Sequence, residues 1–281
     1  MLSAPVVDFL VIGAMKCGTS TVCAYLEDHP DAYMVPMCEP RFFSRDENWA
    51  AGVGTYEAYF QDTESHQLRG EGSNDYSNLR KYGRSPERIH SYNPDIKLVY
   101  VIRDPITRIK SDWIQRRVDQ GIAIPDTVNA AVASDDTYVG QSLYWETITA
   151  YQAYFPDSQI HVCFMEDLNR EPALFFAALT TFLGLAPFGV ERPHANKSAG
   201  KLVPGKAYTR LASAPLFRPL KALFPQRFKT FVKNNILSVT AKEVKFTPDD
   251  VAPEQRAIIK ADAASVLAYA GKPPDFWHVP Q

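Results

Sequence analysis

Residues Gly13 to Thr21, GAMKCGTST, combine glycines, a lysine and hydroxyl side chains at a spacing that suits anion binding. They follow an apolar stretch, Phe9 to Ile12, and lead into a helix-like segment, Ser20 to Leu26. A loop between a strand and a helix N-terminus presents backbone N–H groups and the positive end of the helix dipole to an anion. The spacing nearly fits GxxxxGK(S/T), the loop that binds nucleoside triphosphates, but Thr19 replaces its lysine and Lys16 lies earlier. Because the lysine has moved, we expect a shorter anionic group than a triphosphate with magnesium.

A second group of polar residues, RDPITRIKS, spans Arg103 to Ser111 and directly follows a strongly apolar predicted strand. Asp104 suits a helix N-cap and Pro105 the first helical position, so a helix should begin where the strand ends. Arg103 then lies at the carboxyl end of a strand, where its guanidinium group suits a phosphate monoester, and Ser111 adds a hydroxyl donor. Each motif alone has a plainer explanation, either a tight glycine turn or an arginine paired with a nearby acid. The presence of both motifs in this order, each after a predicted strand, favours one nucleotide site.

The two motifs resemble those of the sulfotransferases that use 3′-phosphoadenosine 5′-phosphosulfate (PAPS), written KxGTT or KxGTS and RxPxxRxxS. The residues that match these patterns are Lys16, Gly18, Thr19, Ser20, Arg103, Pro105, Arg108 and Ser111. The resemblance implies a sulfotransferase in which Arg103 and Ser111 bind the 3′-phosphate and Lys16 stabilises the leaving phosphate. The implied contacts to the 5′-phosphosulfate come from Lys16, Cys17, Gly18, Thr19, Ser20 and Thr21. We expect no metal, because no cluster of metal ligands is visible in the sequence.

Glu39 is our candidate for the general base that takes the proton of the acceptor. It lies in the run CEPRFFS, which resembles the ExxFF motif of the carbohydrate sulfotransferases that act on heparan sulfate nitrogen or oxygen atoms. Glu39, Phe42 and Phe43 match that motif, and the resemblance implies a catalytic glutamate at this position. The alternative is a surface glutamate, or one that pairs with Arg41 or Arg45.

A departure from the heparan-type pattern occurs at Glu71 to Tyr76. Those enzymes carry a second lysine in a segment like EKTPAY, whereas this chain reads EGSNDY, with Gly72 in the lysine position. Lys16 is therefore left as the main cation of the predicted site. We take Asp75 and Tyr76 as candidate contacts to the acceptor, which we expect to be a hydroxyl or amine of a small carbohydrate-containing or lipid-like molecule.

Two other classes of function fit parts of the sequence. A P-loop kinase would use ATP and magnesium, and a non-catalytic nucleotide-binding protein would hold the bisphosphate without transferring a group. The predicted 3′-phosphate site distinguishes a sulfotransferase from a kinase, because ATP has no 3′-phosphate to occupy that site.

Length and composition limit the class of protein. The chain has 281 residues and 46% hydrophobic content, which suits one domain over residues 1–281. Its formal charge of −2 gives no basic excess, so we expect no nucleic-acid partner. The cysteines show no CxxC pairing, and no apolar run approaches the ~20 residues that span a bilayer. We therefore expect a cytoplasmic protein, and leave its oligomeric state open.

Predicted strands and helices alternate along the first two thirds of the chain. The predicted strands are Asp8 to Ile12, Tyr33 to Val35, Leu68 to Glu71, Lys97 to Ile102 and Ile160 to Phe164. The main predicted helices are Ser20 to Glu27, Pro86 to Tyr92, Pro105 to about Asp119, Val139 to Tyr154, Pro172 to Leu183 and Pro253 to Ala270. The alternation predicts an α/β, P-loop-like three-layer fold with a central parallel sheet of about five strands flanked by helices.

The last third of the chain contains two less regular segments. Residues 194–208 form a basic loop, and the resemblance implies that it closes over the nucleotide with contacts from Lys197 and Lys206. A surface loop without a ligand is the alternative. Residues 215–236 alternate basic and aromatic side chains, so this amphipathic segment either touches a membrane surface or a lipid-like acceptor, or packs on the domain.

Overall fold

The protein is built around a sheet of five strands. The computed structural model describes residues 5–36, 39–120, 123–189, 202–204, 238–240 and 250–277. The strands of the sheet are β1 (Phe9–Gly13), β2 (Ala32–Met34), β3 (Leu68–Gly72), β4 (Lys97–Ile102) and β5 (Ile160–Phe164). Their order is β2-β3-β1-β4-β5, and every neighbouring pair is parallel. The predicted α/β fold with a central parallel sheet is confirmed.

The inner strands are continuous apolar runs because both of their faces are covered. All five residues of β1 are buried, and so are five of the six residues of β4. The exception is Lys97 at the start of β4. Its ammonium group donates to the carbonyl oxygens of Phe182 (2.8 Å) and Leu183 (2.9 Å), so the charge compensates unpaired carbonyls at a helix end.

Helices occupy the connections between the strands, and a further helix follows the last described strand. They are α1 (Thr19–Glu27), α2 (Asp46–Ala50), α3 (Val53–Glu57), α4 (Leu79–Tyr82), α5 (Ser85–Tyr92), α6 (Pro105–Gln120), α7 (Val128–Ser134), α8 (Thr137–Gly140), α9 (Tyr144–Gln152), α10 (Met165–Arg170), α11 (Pro172–Leu183) and α12 (Pro253–Tyr269). Within the described parts of the chain, short 3₁₀ helices lie at Ala58–Phe60, Asn74–Ser77 and Asp157–Gln159. A separate antiparallel pair joins β6 (Leu202–Pro204) to β7 (Ser238–Thr240).

The predicted helix from Val139 to Tyr154 is wrong in its middle, since α8 ends at Gly140 and α9 begins at Tyr144. A buried arginine explains the interruption. The Arg108 guanidinium donates through Nε to the Ser142 hydroxyl and through Nη2 to the Tyr138 carbonyl, each at 2.6 Å. Burial of the Arg108 guanidinium group without hydrogen-bond partners would cost roughly several kcal/mol of folding free energy. Its contacts to Tyr138 and Ser142 therefore outweigh the local helical pattern.

Among the described residues, the buried apolar side chains form two groups, one around the sheet and one around α6, α7 and α8. Helix α12 contributes to both, because Ile259 belongs to the second group while Val266 and Leu267 belong to the first. Among the helices described, none combines the length and apolar character that crossing a bilayer requires.

The five strands point the same way, so the segments that follow them meet at one edge of the sheet. Strands β1 and β4 are neighbours, but the chain leaves β1 toward β2 on one side and leaves β4 toward β5 on the other. Open parallel sheets bind ligands in the crevice at such a point. The two predicted anion-binding motifs follow these two strands.

Candidate active site

The loop after β1 owes its shape to two glycines. Gly13 has φ of 134°, and a Cβ atom there would lie 2.2 Å from the Ser77 hydroxyl oxygen. Gly18 has φ of 94° and is the N-cap of α1, where no described side chain caps the helix. Lys16, between them, also has a positive φ, 72°. The start of α1 is thus open to an anion, as the spacing predicts.

Arg103 and Lys16 meet in the structure. The Arg103 Nη1 atom donates to the main-chain oxygen of Lys16 at 3.1 Å, so the two motifs share one crevice. The Arg103 Nε atom is buried and has no hydrogen-bond partner. The Lys16 ammonium donates to Gln115 Oε1 at 3.2 Å, and Gln115 lies one turn of α6 after the buried Ser111. The structure therefore gathers Lys16, Arg103 and the helix that carries Ser111.

The start of α6 is fixed by two carboxylates. Asp104 Oδ1 accepts from the backbone N–H of Thr107 at 2.6 Å, which confirms the predicted N-cap. The backbone N–H of Asp104 donates to Glu166 Oε1 at 2.8 Å, and Glu166 lies in the first turn of α10, which follows β5. Arg108, which also matches the sulfotransferase pattern, is fully buried beside Asp112 and does not line the crevice. Its role in this structure is to hold α6 against α8.

Cys17 turns its side chain away from the open side of the loop. The thiol is fully buried, 3.7 Å from the Tyr144 hydroxyl, and burial raises its pKa to about 11. Its backbone N–H donates to Ala14 O at 3.1 Å. The structure thus gives the Cys17 side chain a packing role, and the contact of residue 17 with the nucleotide stays a prediction. Ser20, by contrast, is exposed at the start of α1.

Glu39 is joined to the loop by a short chain of hydrogen bonds. Its Oε2 atom accepts from Arg41 Nε (3.0 Å) and Nη2 (2.8 Å), and its Oε1 accepts from Asn74 Nδ2 (2.6 Å). The Asn74 Oδ1 atom in turn accepts from the Thr19 hydroxyl at 3.1 Å. The side chain of Glu39 stays 29% exposed. The pairing with Arg41, which we gave as an alternative to a catalytic role, is therefore present, and the same carboxylate is also linked to the loop through Asn74.

The two phenylalanines of the EPRFF run anchor this segment in the core. Phe42 stacks on Tyr56 with ring centroids 4.6 Å apart, and Phe43 contacts Tyr76 edge-on at 5.6 Å. Both phenylalanines are buried, so they hold Glu39 at the surface of an aromatic cluster.

The two candidate acceptor contacts have different outcomes. Asp75 is partly exposed and accepts from Arg45 Nη2 at 2.7 Å, with Arg41 at 3.8 Å, on the same side as Glu39. Tyr76 is fully buried, and its hydroxyl donates to Glu71 Oε1 at 2.5 Å. The prediction that Tyr76 contacts the acceptor is wrong, because no part of the ring reaches the surface.

Glu71 is a buried titratable residue next to the site that we did not predict. Its fully buried carboxyl accepts hydroxyl hydrogen bonds from Tyr76 (2.5 Å), Ser73 (2.8 Å) and Tyr56 (3.3 Å). Burial raises the pKa of Glu71 to about 7, although these hydrogen bonds act in the opposite direction. An acidic residue ending a predicted buried strand was the signal available in the sequence.

The glycine that replaces the heparan-type lysine has a structural reason. A Cβ atom at Gly72 would lie 2.6 Å from the Cys23 Sγ on α1. A larger side chain would therefore require the Cys23 side chain or α1 to shift, and the departure at Gly72 goes with the close packing of Cys23 against β3.

Some predicted contacts cannot be placed. The described residues do not include Lys197, Lys206 or the segment 215–236. Of the loop 194–208, only the short strand 202–204 is described. Across the described parts of the chain, no group of three His, Cys, Asp or Glu side chains is arranged to hold a metal ion. The absence of a metal from the reaction stays a prediction.

Known proteins are similar to this chain in sequence. The mouse (Mus musculus) heparan sulfate glucosamine 3-O-sulfotransferase 5 is 30% identical over 191 residues, which are 63% of this chain and 53% of that protein. The human (Homo sapiens) heparan sulfate glucosamine 3-O-sulfotransferase 6 is 30% identical over 189 residues, 63% of this chain and 52% of that protein. This chain thus spans about half the length of these curated relatives.

Two solved structures support the fold. A sulfotransferase from Alicyclobacillus acidocaldarius has a TM-score of 0.66 at 20% identity, with 95% of this chain and 96% of that chain covered. The sulfotransferase domain of the Synechococcus PCC 7002 olefin synthase has a TM-score of 0.54 at 13% identity, with 92% and 95% covered. The family profile described as "Sulfotransferase domain" matches residues 7–198. The chain therefore belongs to the sulfotransferase domain family, as its motifs predicted.

Proposed function

We propose that this protein transfers a sulfuryl group from PAPS to a hydroxyl group (or an amine) of a carbohydrate-containing acceptor. The observation that carries the proposal is the contact between Arg103 and the main chain of Lys16, since it joins the two anion-binding motifs in one crevice. The names of the curated relatives, which act on heparan sulfate glucosamine, support a glycan acceptor.

The residues present fit both ends of an adenosine bisphosphate. The buried Arg103 Nε, which lacks a partner, suits an oxygen of the 3′-phosphate, together with the Ser111 hydroxyl. The uncapped start of α1 and the hydroxyls of Ser20 and Thr21 suit the 5′-phosphosulfate. PAPS would supply the activated sulfuryl group, and the chain supplies positioning and charge.

Each catalytic side chain then has one task. Glu39 accepts the proton of the acceptor hydroxyl while the oxygen of that hydroxyl forms the new bond to sulfur. The bond from sulfur to the phosphate oxygen breaks, and Lys16 stabilises the negative charge that develops on that oxygen. Because the Lys16 ammonium lies on Gln115 in this structure, it must leave Gln115 when the donor binds.

Nucleotide binding tests the proposal first. We expect 3′-phosphoadenosine 5′-phosphate to bind at least about tenfold more tightly than ATP with magnesium, since hydrogen bonds to a charged phosphate contribute about 1.5–3 kcal/mol. Titration calorimetry measures both affinities. Preference for ATP would favour a P-loop kinase. Tight bisphosphate binding without transfer from labelled PAPS to any acceptor in a glycan and lipid screen would favour a non-catalytic protein.

Substitution of Lys16 tests the catalytic charge. Lys16→Ala should lower kcat by about 10²-fold or more, because the variant loses a cation at the developing charge. The matched control is Lys260→Ala, which removes an exposed lysine on α12. Near-normal kcat in Lys16→Ala would remove Lys16 from the proposed mechanism.

A further inference from the structure

Asn74 connects three segments of the site through one side chain. It opens the 3₁₀ helix that follows β3, and its amide bridges Glu39 after β2 to Thr19 at the start of α1. Its Nδ2 atom lies 2.6 Å from Glu39 Oε1, and its Oδ1 atom lies 3.1 Å from the Thr19 hydroxyl. No motif in the sequence singled out this residue.

The chemistry of the two partners fixes the orientation of the amide. A carboxylate can only accept hydrogen bonds, so the amide NH₂ must face Glu39, and the amide oxygen then receives the Thr19 hydroxyl. The reversed amide would place its oxygen against the carboxylate. Asn74 is therefore a directional link between the base and the phosphate-binding loop.

The hydrogen bonds of Glu39 also distinguish its two oxygens. Oε2 accepts two N–H groups from Arg41, which fill both of its lone-pair directions. Oε1 accepts the single N–H of Asn74 and keeps one lone pair. The oxygen that can take a proton is thus the one that Asn74 holds next to the loop.

The surroundings keep this arrangement in place. Arg41 has φ of 53°, and its backbone N–H donates to the Ser73 hydroxyl at 3.0 Å. The Ser73 hydroxyl donates in turn to the buried Glu71. Ser73, the residue before Asn74, therefore anchors Arg41 on the other side of Glu39. Both side chains that donate to the Glu39 carboxylate, those of Arg41 and Asn74, are thus fixed by the segment that directly follows β3.

We propose that Asn74 is a positioning residue that aligns Glu39 Oε1 with the phosphate-binding loop through Thr19. This inference rests on the proposed sulfuryl transfer. The side chain of Asn74 is assigned no contact with the donor or the acceptor, and its effect on the rate passes through its hydrogen bond to Glu39.

A double-mutant cycle on the intact chain tests this role. Asn74→Ala should lower kcat about 10- to 100-fold, the cost of misplacing a catalytic group by about 1 Å, with KM for PAPS changed less than about twofold. In a Glu39→Gln background the same change should cost less than about twofold, because the base that Asn74 aligns is already gone. Equal losses in both backgrounds would show a merely structural role and overturn the inference.

Two further variants guard against loss of folding. Asn93→Ala is the matched control, since Asn93 is 8% exposed and donates to Val7 O at 2.9 Å at the opposite end of the strands. It should lower stability while kcat is kept. Asn74→Asp preserves the shape and the contact to Thr19 but faces Glu39 with an acceptor, so kcat should fall at least as far as in Asn74→Ala. Wild-type kcat in Asn74→Asp would also overturn the inference.

The outcome for the wild type separates the two proposals. If the wild type is active but the effects of Asn74→Ala and Glu39→Gln on kcat are additive, only the role of Asn74 is overturned. A wild type that binds the bisphosphate and transfers nothing overturns the proposed function, and the role of Asn74 with it.

Discussion

Glu71 places a carboxyl group in the core beneath the candidate site, where three hydroxyl groups donate to it. Burial raises its pKa to about 7, so folding favours its protonated form. Between the pKa of an unfolded glutamate and about pH 7 the folded chain binds more protons than the unfolded chain. The contribution of Glu71 to stability is therefore full at low pH and is lost as the pH rises through 7.

Replacement of Glu71 by glutamine should remove this pH dependence. The free energy of unfolding of Glu71→Gln, taken relative to that of the wild type, should rise by up to about 3 kcal/mol from pH 5 to pH 8. The wild type loses the contribution of Glu71 over this range, whereas the amide of the variant cannot ionise. Denaturant unfolding at both pH values measures the difference. Glu27→Gln, which removes an exposed carboxylate, controls for the loss of one charge. A difference that stays constant with pH would contradict the buried, protonated carboxyl.

Single residues were predictable where their chemistry is local. The spacing of Lys16 to its glycines and the position of Arg103 after an apolar strand were enough to expect a shared crevice, and the two residues do meet. The link through Asn74 was not predictable, because it depends on how three distant segments pack. Tyr76 was misassigned for the same reason, since nothing near it in the sequence reveals a buried carboxyl as its partner.

Strands and helices followed the sequence where burial is uniform along them. Strand β4 has the predicted bounds, because a parallel strand covered on both faces is a continuous apolar run. The edge strand β5 also has the predicted bounds, although His161 and Val162 are only half-buried in it. Helix α11 begins at the predicted proline and ends before Gly184, whose φ of 81° suits a glycine. These signals lie within the elements themselves.

The errors occurred where a side chain from elsewhere decides the local structure. The break between α8 and α9 depends on Arg108, which lies more than 30 residues before Ser142 in the chain. The short helices α2, α3, α4, α7 and α10 span four to seven residues each, too few for a periodic pattern. Their positions follow from packing rather than from propensity.

The family match ends at residue 198, yet the core does not. Helix α12 places Ile259 in the group of apolar side chains around α6 and Leu267 in the group around the sheet. The Asp262 carboxylate accepts from the backbone N–H groups of Trp145 and Glu146, each at 3.0 Å, at the start of α9. The C-terminal helix therefore closes the same folding unit that carries the site.

If α12 belongs to that unit, a cavity made in it should destabilise the whole domain. Leu267 is 2% exposed, so Leu267→Ala should cost about 2–5 kcal/mol and shift unfolding as one transition. Circular dichroism and bisphosphate binding, followed through the same denaturant series, should report coincident midpoints. Ile258→Ala on the same helix, where the side chain is 53% exposed, should change stability little and serves as the control. Two separate transitions, with bisphosphate binding unaffected by Leu267→Ala, would instead show that the C-terminal helix folds apart from the site.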